Sequence, residues 1–314
     1  FLEDRKSHQP SSRRQIKGTV PLTCTPINHE IDKISSFRQS GFLASAGQAM
    51  VVSMMPSNAV SSEPSVGLPA NPIVVIPARL ASTRLPGKPL AEIAGEPMIV
   101  HVWRRALEAD IGPAIVACAD IEIIDAIKDV GGDAVYTNPA HASGSDRVFE
   151  CLHTVDPQRR HDCVINLQGD LPTIKPESVR AVLEPLSEPE VDIATLVAEI
   201  TDEAERDDSN VVKTVLAMHQ GKKCGRALYF TRATAPAGDG PLFHHIGIYA
   251  FRRHALDSFV RLPPGTLEKR ESLEQLRALE NGMRIDAQCV DTVPLGVDTP
   301  ADLDRARQLL APGA

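Results

Sequence analysis

The sequence predicts an α/β fold: a mostly parallel central sheet with helices on both faces and an antiparallel excursion. From Asn71 onward, short runs rich in β-branched residues alternate with helical patterns. This alternation is typical of parallel strands whose connecting helices cover the sheet. Between Val191 and Phe251 the alternation stops and strand patterns follow one another, which indicates the antiparallel part.

The first half of the predicted sheet begins with the run Ile73–Ile76, which ends at Pro77. Pro97 suits the first position of a helix, because its missing N–H would have no partner there. The further elements expected in this half are a helix over Pro97–Glu108, a strand over Ala114–Ala119, a helix over Glu122–Val130, a strand over Ala134–Tyr136, a helix from Asp146, a strand over Cys163–Leu167 and a helix opened by Pro176.

The second half contains the predicted antiparallel insertion at about 191–251, in which no helix is expected. Its strands are Ile193–Val197, Val211–Leu216, Ala227–Phe230 and His245–Phe251. A helix over Ser272–Asn281, a strand over Arg284–Val290 and a helix over Pro300–Leu310 complete the fold.

Residues 1–70 differ from the rest, with Ser, Pro and Gln clusters and no sustained apolar periodicity. The chain begins with Phe rather than Met. We therefore expect residues 1–70 to be a disordered leader or mistranslated upstream sequence, and residues 71–314 to form the functional domain.

The composition excludes several classes of protein. A net charge of −8 argues against nucleic acid as the main partner. No apolar run approaches the ~20 residues of a membrane-spanning helix, so we expect no membrane partner. The 6 cysteines form no C-x-x-C pair, which argues against zinc and redox motifs and favours reduced thiols in the cytoplasm.

A cationic loop directly follows the first strand and carries Arg79, Arg84 and Lys88 among prolines and glycine. Ligands of open α/β sheets bind beyond the carboxyl ends of the strands. One guanidinium group can bind two phosphate oxygens at once, and a lysine side chain adds a mobile positive charge. The loop matches neither the dinucleotide fingerprint nor the ATPase phosphate loop. It therefore predicts a different kind of phosphate-binding site, with a solvated basic loop as the alternative.

Carboxylates and a helix start indicate two further parts of a site. Asp170 follows the strand Cys163–Leu167 and should project over the same sheet edge, where its oxygens suit Mg²⁺. Asp298 precedes a helix start at which Thr299 reads as the N-cap and Asp302 as its capping-box partner. Ser143–Ser145 precedes a helix and would offer backbone N–H groups to a ligand, although a simple loop explains it equally well.

Several ordered motifs carry a family resemblance. The most specific is the loop P-A-R-L-A-S-T-R-L-P-G-K-P-L that begins at Pro77. The others are His141–Arg147, Asn166–Asp170, Ala227–Thr234, His245–Tyr249, Leu273–Arg277 and Gly296–Leu303. Over residues 72–312 the chain resembles one family, the CMP-Kdo synthetases (3-deoxy-manno-octulosonate cytidylyltransferases).

The resemblance implies a glycosyltransferase-A-like nucleotidyltransferase fold and the transfer of CMP from CTP to the acid sugar Kdo for lipopolysaccharide biosynthesis. It also implies a homodimer. It assigns Arg79, Arg84 and Lys88 to the triphosphate and Mg²⁺ to Asp170 and Asp298. The residues it implies for the nucleotide are Pro77, Ala78, Ser82, Ser143, Gly144 and Gln168, and those for the sugar are Arg232, His245, Tyr249, Glu274 and Gln275.

Two other functions remain open at this stage. The sugar could be sialic acid, although the segment Leu273–Arg277 and the cationic loop favour Kdo. The chain could also be an inactive homologue that binds nucleotide, against which the intact Lys88, Asp170 and Asp298 argue. From the residues alone, His245 could be an ordinary polar strand residue and Tyr249 a core aromatic. The segment Cys118–Asp120 departs from the Thr-Asp of many relatives.

Overall fold

The computed structural model describes residues 67–82 and 84–311. The prediction of a disordered leader therefore falls almost entirely outside the described residues and stays a prediction. Within the described ranges, no helix combines the length and apolar character that crossing a membrane requires.

The strands and helices follow the predicted alternation. The strands are β1 (Pro72–Ala78), β2 (Glu92–Ile93), β3 (Glu96–Pro97), β4 (Ala114–Cys118), β5 (Asp133–Tyr136), β6 (Cys163–Leu167), β7 (Ile193–Glu199), β8 (Lys213–Met218), β9 (Cys224–Thr231), β10 (Phe243–Arg252) and β11 (Ile285–Cys289). The helices are α1 (Met98–Glu108), α2 (Ile121–Asp129), α3 (Gly144–Val155), α4 (Pro176–Ala181), α5 (Glu203–Asp207), α6 (Arg253–Phe259), α7 (Thr266–Glu271), α8 (Leu276–Glu280) and α9 (Pro300–Leu309).

One 9-stranded sheet organises the described chain, in the order β5-β4-β1-β6-β10-β7-β11-β9-β8. Strands β5, β4, β1 and β6 are parallel to one another. Strand β10 lies antiparallel between β6 and β7, and β7 pairs in parallel with β11. The predicted α/β class is confirmed, and the antiparallel strands extend the same sheet.

The first strand lies at the centre of the core and fixes the position at which the cationic loop begins. All of β1 is buried. Val74 and Ile76 belong to one apolar cluster, and Ile73 and Val75 belong to the cluster on the opposite face. This alternation follows from the two-residue period of a strand, and burial on both faces from the helices that cover the sheet.

Strand β1 also continues beyond the predicted Ile76. Its pairing with β6 ends at Val75, whereas its pairing with β4 continues to Ala78. Pro77 therefore follows the last residue that pairs with β6, and the strand tolerates its missing N–H. The chain leaves the sheet at Ala78, directly before the cationic loop.

The helix predicted over Ser272–Asn281 is confirmed only over Leu276–Glu280, the range of α8. Helix α7 ends at Glu271, and Ser272 adopts a left-handed conformation with φ 56°. Helix α8 begins only at Leu276. A left-handed residue stops a helix, so Glu274 and Gln275 lie in the turn between the two helices.

The expectation of no helix between Val191 and Phe251 is also wrong. Helix α5 lies there, with Asp202 as N-cap accepting a hydrogen bond from the Ala204 backbone N–H. It buries none of its residues, so it shows no amphipathic pattern from which the sequence could have revealed it. Helix α3 begins at Gly144, two residues before the predicted Asp146.

Candidate active site

A cleft of about 390 Å³ opens at the carboxyl ends of β1 and β6. Every residue predicted for the triphosphate, the nucleotide or the metal lines it. These are Pro77, Ala78, Arg79, Ser82, Arg84, Lys88, Ser143, Gly144, Gln168, Asp170 and Asp298. The position agrees with the rule that open α/β sheets bind ligands beyond the carboxyl ends of their strands.

Lys88 connects the two predicted metal ligands. Its Nζ donates to Asp170 Oδ2 at 2.8 Å and to Asp298 Oδ1 at 3.0 Å. Burial acts to lower the pKa of Lys88, but the neighbouring Asp170 and Asp298 carboxylates outweigh it and raise this pKa. Lys88 therefore carries its positive charge at neutral pH.

The local backbone explains how these three side chains meet. Gly87 precedes Lys88 with φ 69°, a left-handed conformation that favours glycine. Asp170 follows β6, and its carbonyl accepts a hydrogen bond from the Val297 backbone N–H at 2.9 Å. This bond places Asp298, the next residue, beside Asp170.

The helix start after Asp298 has the predicted capping box. Thr299 Oγ1 accepts from the Asp302 N–H, and the Asp302 carboxylate accepts from the Thr299 N–H. Asp302 is thus engaged at the start of α9. Asp298 faces the cleft, where Arg84 approaches its Oδ2 at 3.0 Å.

The donor set fits a magnesium ion. Two carboxylates within contact of one ammonium are close enough to share one small cation, and both are partly exposed to the cleft. Mg²⁺ typically takes one or two carboxylates and completes its shell with water and substrate phosphates.

The end of β6 and the start of α3 complete the floor of the cleft. A Cβ atom at Gly169 would lie 2.9 Å from Pro77 O, so only glycine allows β1 and the turn after β6 to approach this closely. Ser143 caps α3 and accepts a hydrogen bond from the Asp146 backbone N–H. The first turn of this 12-residue helix borders the cleft, with Ser143 and Gly144 in its lining.

Four of the predicted sugar residues form a group next to this cleft. Glu274 Oε2 accepts a hydrogen bond from Ser145 Oγ at 2.8 Å. The His245 ring lies between Phe230 and Tyr249, with centroids 5.0 and 5.5 Å away. Burial lowers the pKa of His245 to about 3, so the imidazole is neutral. Burial and the nearby Glu274 raise the pKa of Tyr249.

Two polar atoms of this group have no hydrogen-bond partner among the described residues. They are Glu274 Oε1 and Gln275 Nε2, both buried. A buried polar atom without a partner is costly, and such atoms in a site are typical of groups that a ligand satisfies. One is an acceptor and the other a donor, which suits a hydroxyl-rich ligand.

Arg232 differs from the other predicted sugar residues. Its guanidinium donates to Glu271 O at 3.1 Å and to Ser209 O at 3.0 Å. The Tyr249 ring packs against His245 and lies near Glu274, which Gln275 follows in the chain. Arg232 makes none of these contacts.

Two residues of the cleft region were missed by the sequence reasoning. Asp120 Oδ2 accepts a hydrogen bond from the Leu80 backbone N–H at 2.8 Å and so holds the cationic loop. Arg147 lines the cleft but is only 3% exposed. It stood inside a matching motif, but a helical Arg gives no sequence signal that it points inward.

A separate cluster offers metal-ligand atoms outside this cleft. His219, Cys224 and Asp286 approach one another within 4.8 Å. Arg284 donates to both oxygens of Asp286 at 2.9 Å, and His219 Nε2 lies 3.0 Å from Asp286 Oδ2. The cluster is thus already satisfied as an ion-pair network.

The cleft combines cations for a polyphosphate, paired carboxylates for Mg²⁺ and a helix start beside a strand end. This combination, at the parallel half of a mixed sheet, defines the class of nucleotidyltransferases.

Comparison with known proteins specifies the family. The cytidylyltransferase family model matches residues 73–285. A 3-deoxy-manno-octulosonate cytidylyltransferase of Rhodospirillum centenum is 66% identical over 244 residues, covering 78% of this chain and 95% of that protein. One of Paramagnetospirillum magneticum is 63% identical over 239 residues, covering 76% and 97%. This chain belongs to the 3-deoxy-manno-octulosonate cytidylyltransferase family.

A solved structure agrees in fold. It is described as CMP:2-keto-3-deoxy-manno-octonic acid synthetase complexed with CTP. It superposes with a TM-score of 0.72 at 39% identity and covers 78% of this chain and 100% of that chain. The glycosyltransferase-A-like nucleotidyltransferase fold implied by the motifs is thereby confirmed.

Proposed function

We propose that this protein activates Kdo by transferring CMP to it from CTP, with release of pyrophosphate. The observation that carries the proposal is the contact of Lys88 with both Asp170 and Asp298, at 2.8 and 3.0 Å, in the cleft beyond β1 and β6. The identity of 60–66% to curated cytidylyltransferases supports the choice of CTP and Kdo.

The reaction is an in-line substitution at phosphorus. The anomeric 2-hydroxyl of the sugar attacks the α-phosphorus of CTP, a new P–O bond forms, and the bond to the pyrophosphate leaving group breaks. Such chemistry depends mainly on positioning and on stabilising negative charge. We assign no general base among the described residues, and the hydroxyl proton passes to solvent water.

The cationic side chains stabilise the phosphate charge. Lys88, Arg79 and Arg84 line the same cleft and supply this positive charge. Mg²⁺ held by Asp170 and Asp298 would polarise the α-phosphate and acidify the attacking hydroxyl. Asp120 keeps the cationic loop in place through Leu80.

The sugar lies against the group formed by His245, Tyr249, Glu274 and Gln275. Glu274 Oε1 and Gln275 Nε2, which have no hydrogen-bond partner among the described residues, supply an acceptor and a donor for its hydroxyls. The neutral His245 adds a ring nitrogen without a charge. Arg232 is assigned to the sugar carboxylate by the family motif alone.

We further propose a cytoplasmic homodimer. The 5 cysteines in the described part of the chain are free, which suits a reducing compartment. Strand β8 ends the strand order of the sheet and pairs with β10 at Lys213. Met218 in β8 and Leu228 in β9 are 43% and 56% exposed. An exposed edge with apolar side chains favours pairing with a second copy. Light scattering after size-exclusion chromatography measures the oligomeric state, and a monomer at micromolar concentration would contradict the proposed dimer.

The function is tested by measuring pyrophosphate release from CTP with Kdo, with sialic acid and without sugar, each with and without Mg²⁺. We expect release only with CTP, Kdo and Mg²⁺ together. Faster pyrophosphate release with sialic acid than with Kdo would identify sialic acid as the substrate. No release with any sugar, although CTP binds, would indicate an inactive homologue.

A further inference from the structure

Arg147 is a buried cation in the wall of the nucleotide cleft. The residue is 3% exposed and lines the cleft. Among the described residues, its guanidinium donates one hydrogen bond, to Thr137 Oγ1 at 2.5 Å, and forms no ion pair within 4.0 Å. A buried charge is costly unless it is paired or bound by a ligand.

The surroundings of Arg147 work against its charge. Burial lowers its pKa and the nearby positive charge of Arg79 lowers it further. Together they outweigh Cys118, Asp120 and Glu150, which act to raise it. A packing role alone would be fulfilled by an apolar side chain at less cost. The guanidinium is thus suited to contact a bound group.

The sheet order shows which end of the cleft Arg147 occupies. Thr137 follows β5, and its Oγ1 donates to Cys118 O at the end of β4. The Lys88 and Asp170 pair lies beyond β6, on the opposite side of β1. Arg147 therefore lies at the end of the cleft away from Lys88 and from the two carboxylates that would hold the metal. A nucleotide bound with its phosphates at Lys88 places its base at the Arg147 end.

We propose that Arg147 recognises the pyrimidine edge of the nucleotide and makes the enzyme select CTP over UTP. This inference rests on the proposed function. Cytosine presents two neighbouring acceptors, O2 and N3, which a planar guanidinium can contact with two parallel N–H groups, as arginine does with two acceptors of guanine. Uracil has O2 but carries a hydrogen on N3, which would face a donor.

The experiment compares kcat/KM for CTP and UTP, with Kdo, in the wild type and in Arg147→Met, Arg147→Gln and Arg147→Lys. We expect the preference for CTP to fall roughly 10- to 100-fold in the Met and Gln variants, the range of one lost bidentate base contact. Arg147→Lys keeps the charge but loses the planar fork. This variant should bind CTP more tightly than the Met and Gln variants do, but it should not regain the preference for CTP over UTP.

A second measurement separates the base from the phosphates. Inorganic tripolyphosphate occupies only the phosphate end, so its inhibition constant should be unchanged in all three variants. Weaker inhibition, with equal losses for CTP and UTP, would make Arg147 a phosphate ligand and overturn the proposal. Arg104→Met is the matched control, because Arg104 pairs with Glu96 outside the cleft, and its CTP preference should equal that of the wild type.

Two outcomes separate the proposed cytidylyl transfer from the role of Arg147. A wild type that uses CTP and UTP equally would contradict the proposed cytidylyl transfer itself. A selective wild type with equally selective Arg147 variants would contradict only the role of Arg147. If Met, Gln and Lys variants all fail to fold by circular dichroism, Arg147 is a structural residue and the proposal is wrong.

Discussion

Ser145 Oγ donates a hydrogen bond to Glu274 Oε2 at 2.8 Å, although the residues are 129 positions apart. Ser145 lies in the first turn of α3, directly after two residues that line the nucleotide cleft. Glu274 lies in the turn between α7 and α8. One oxygen of the carboxylate thus holds the two binding regions together. The other lies 3.8 Å from the Arg277 guanidinium and has no hydrogen-bond partner among the described residues.

Glu274→Ala should weaken the use of Kdo strongly and leave CTP binding nearly unchanged. The variant loses a charge-assisted hydrogen bond, worth roughly 1.5–3 kcal/mol. KM for Kdo is measured kinetically, and the Kd for CTP by calorimetry without sugar. Ser145→Ala removes the hydrogen bond to Glu274 Oε2 but keeps Glu274 Oε1 for the sugar, so it should affect Kdo use less. Equal losses of CTP binding and Kdo use in Glu274→Ala would contradict a pocket with two parts.

Lys88→Ala should lower kcat roughly 10²–10³-fold, the usual cost of removing one preorganised charge that stabilises a transition state. The fold should survive, because Lys88 lies in a short turn at the edge of the cleft. Turnover and thermal unfolding are measured together. Lys128→Ala, an exposed lysine in the last turn of α2, is the matched control. Near-normal turnover in Lys88→Ala would remove Lys88 from the mechanism.

Asp156 should contribute stability that is lost in acid. The carboxylate is 1% exposed. Its burial acts to raise its pKa, but hydrogen bonds from the His161 and Arg160 backbones and from Arg253 outweigh this and lower it to about 2. A group with a lowered folded-state pKa stabilises the fold above its unfolded pKa of roughly 4 and loses this contribution as pH falls towards 2.

Urea unfolding at pH 6 and pH 3 tests this expectation with Asp156→Asn. The variant should be less stable at pH 6 by roughly 3–5 kcal/mol, because Arg253 remains buried without its charged partner. The difference from the wild type should shrink at pH 3. Asp304→Asn, which affects only an exposed pair with Arg307, should behave like the wild type. A difference that does not depend on pH would contradict the assignment.

Removal of residues 1–69 should leave folding and activity unchanged. The first strand begins at Pro72, and the Ala70 and Asn71 backbone N–H groups bond to Asp162. A chain beginning at Ala70 keeps these contacts. Its melting temperature and turnover are compared with those of the full chain. A large loss of either would show that the leader is structural.

The sequence predicted the parallel half of the fold well because β1, β4 and β6 are buried on both faces and have proline or glycine close to their ends. Cys163–Leu167 agrees to the residue. The break at Ser272 could not be predicted, because the left-handed conformation of a serine depends on how α7 and α8 pack. The inward direction of Arg147 was hidden for a similar reason, since it depends on the hydrogen bond to Thr137 from a different strand end.

Asp170→Asn and Asp298→Asn should each raise the Mg²⁺ concentration needed for half-maximal activity, and the double variant should lose much less than the sum of the single losses. Both carboxylates contact Lys88 Nζ, so they are expected to act on one ion, and one site cannot be broken twice. Activity is titrated with Mg²⁺ at fixed CTP and Kdo. Asp304→Asn again serves as the control. Additive losses at unchanged Mg²⁺ dependence would place the two carboxylates in separate roles, with Asp298 serving mainly to hold Arg84.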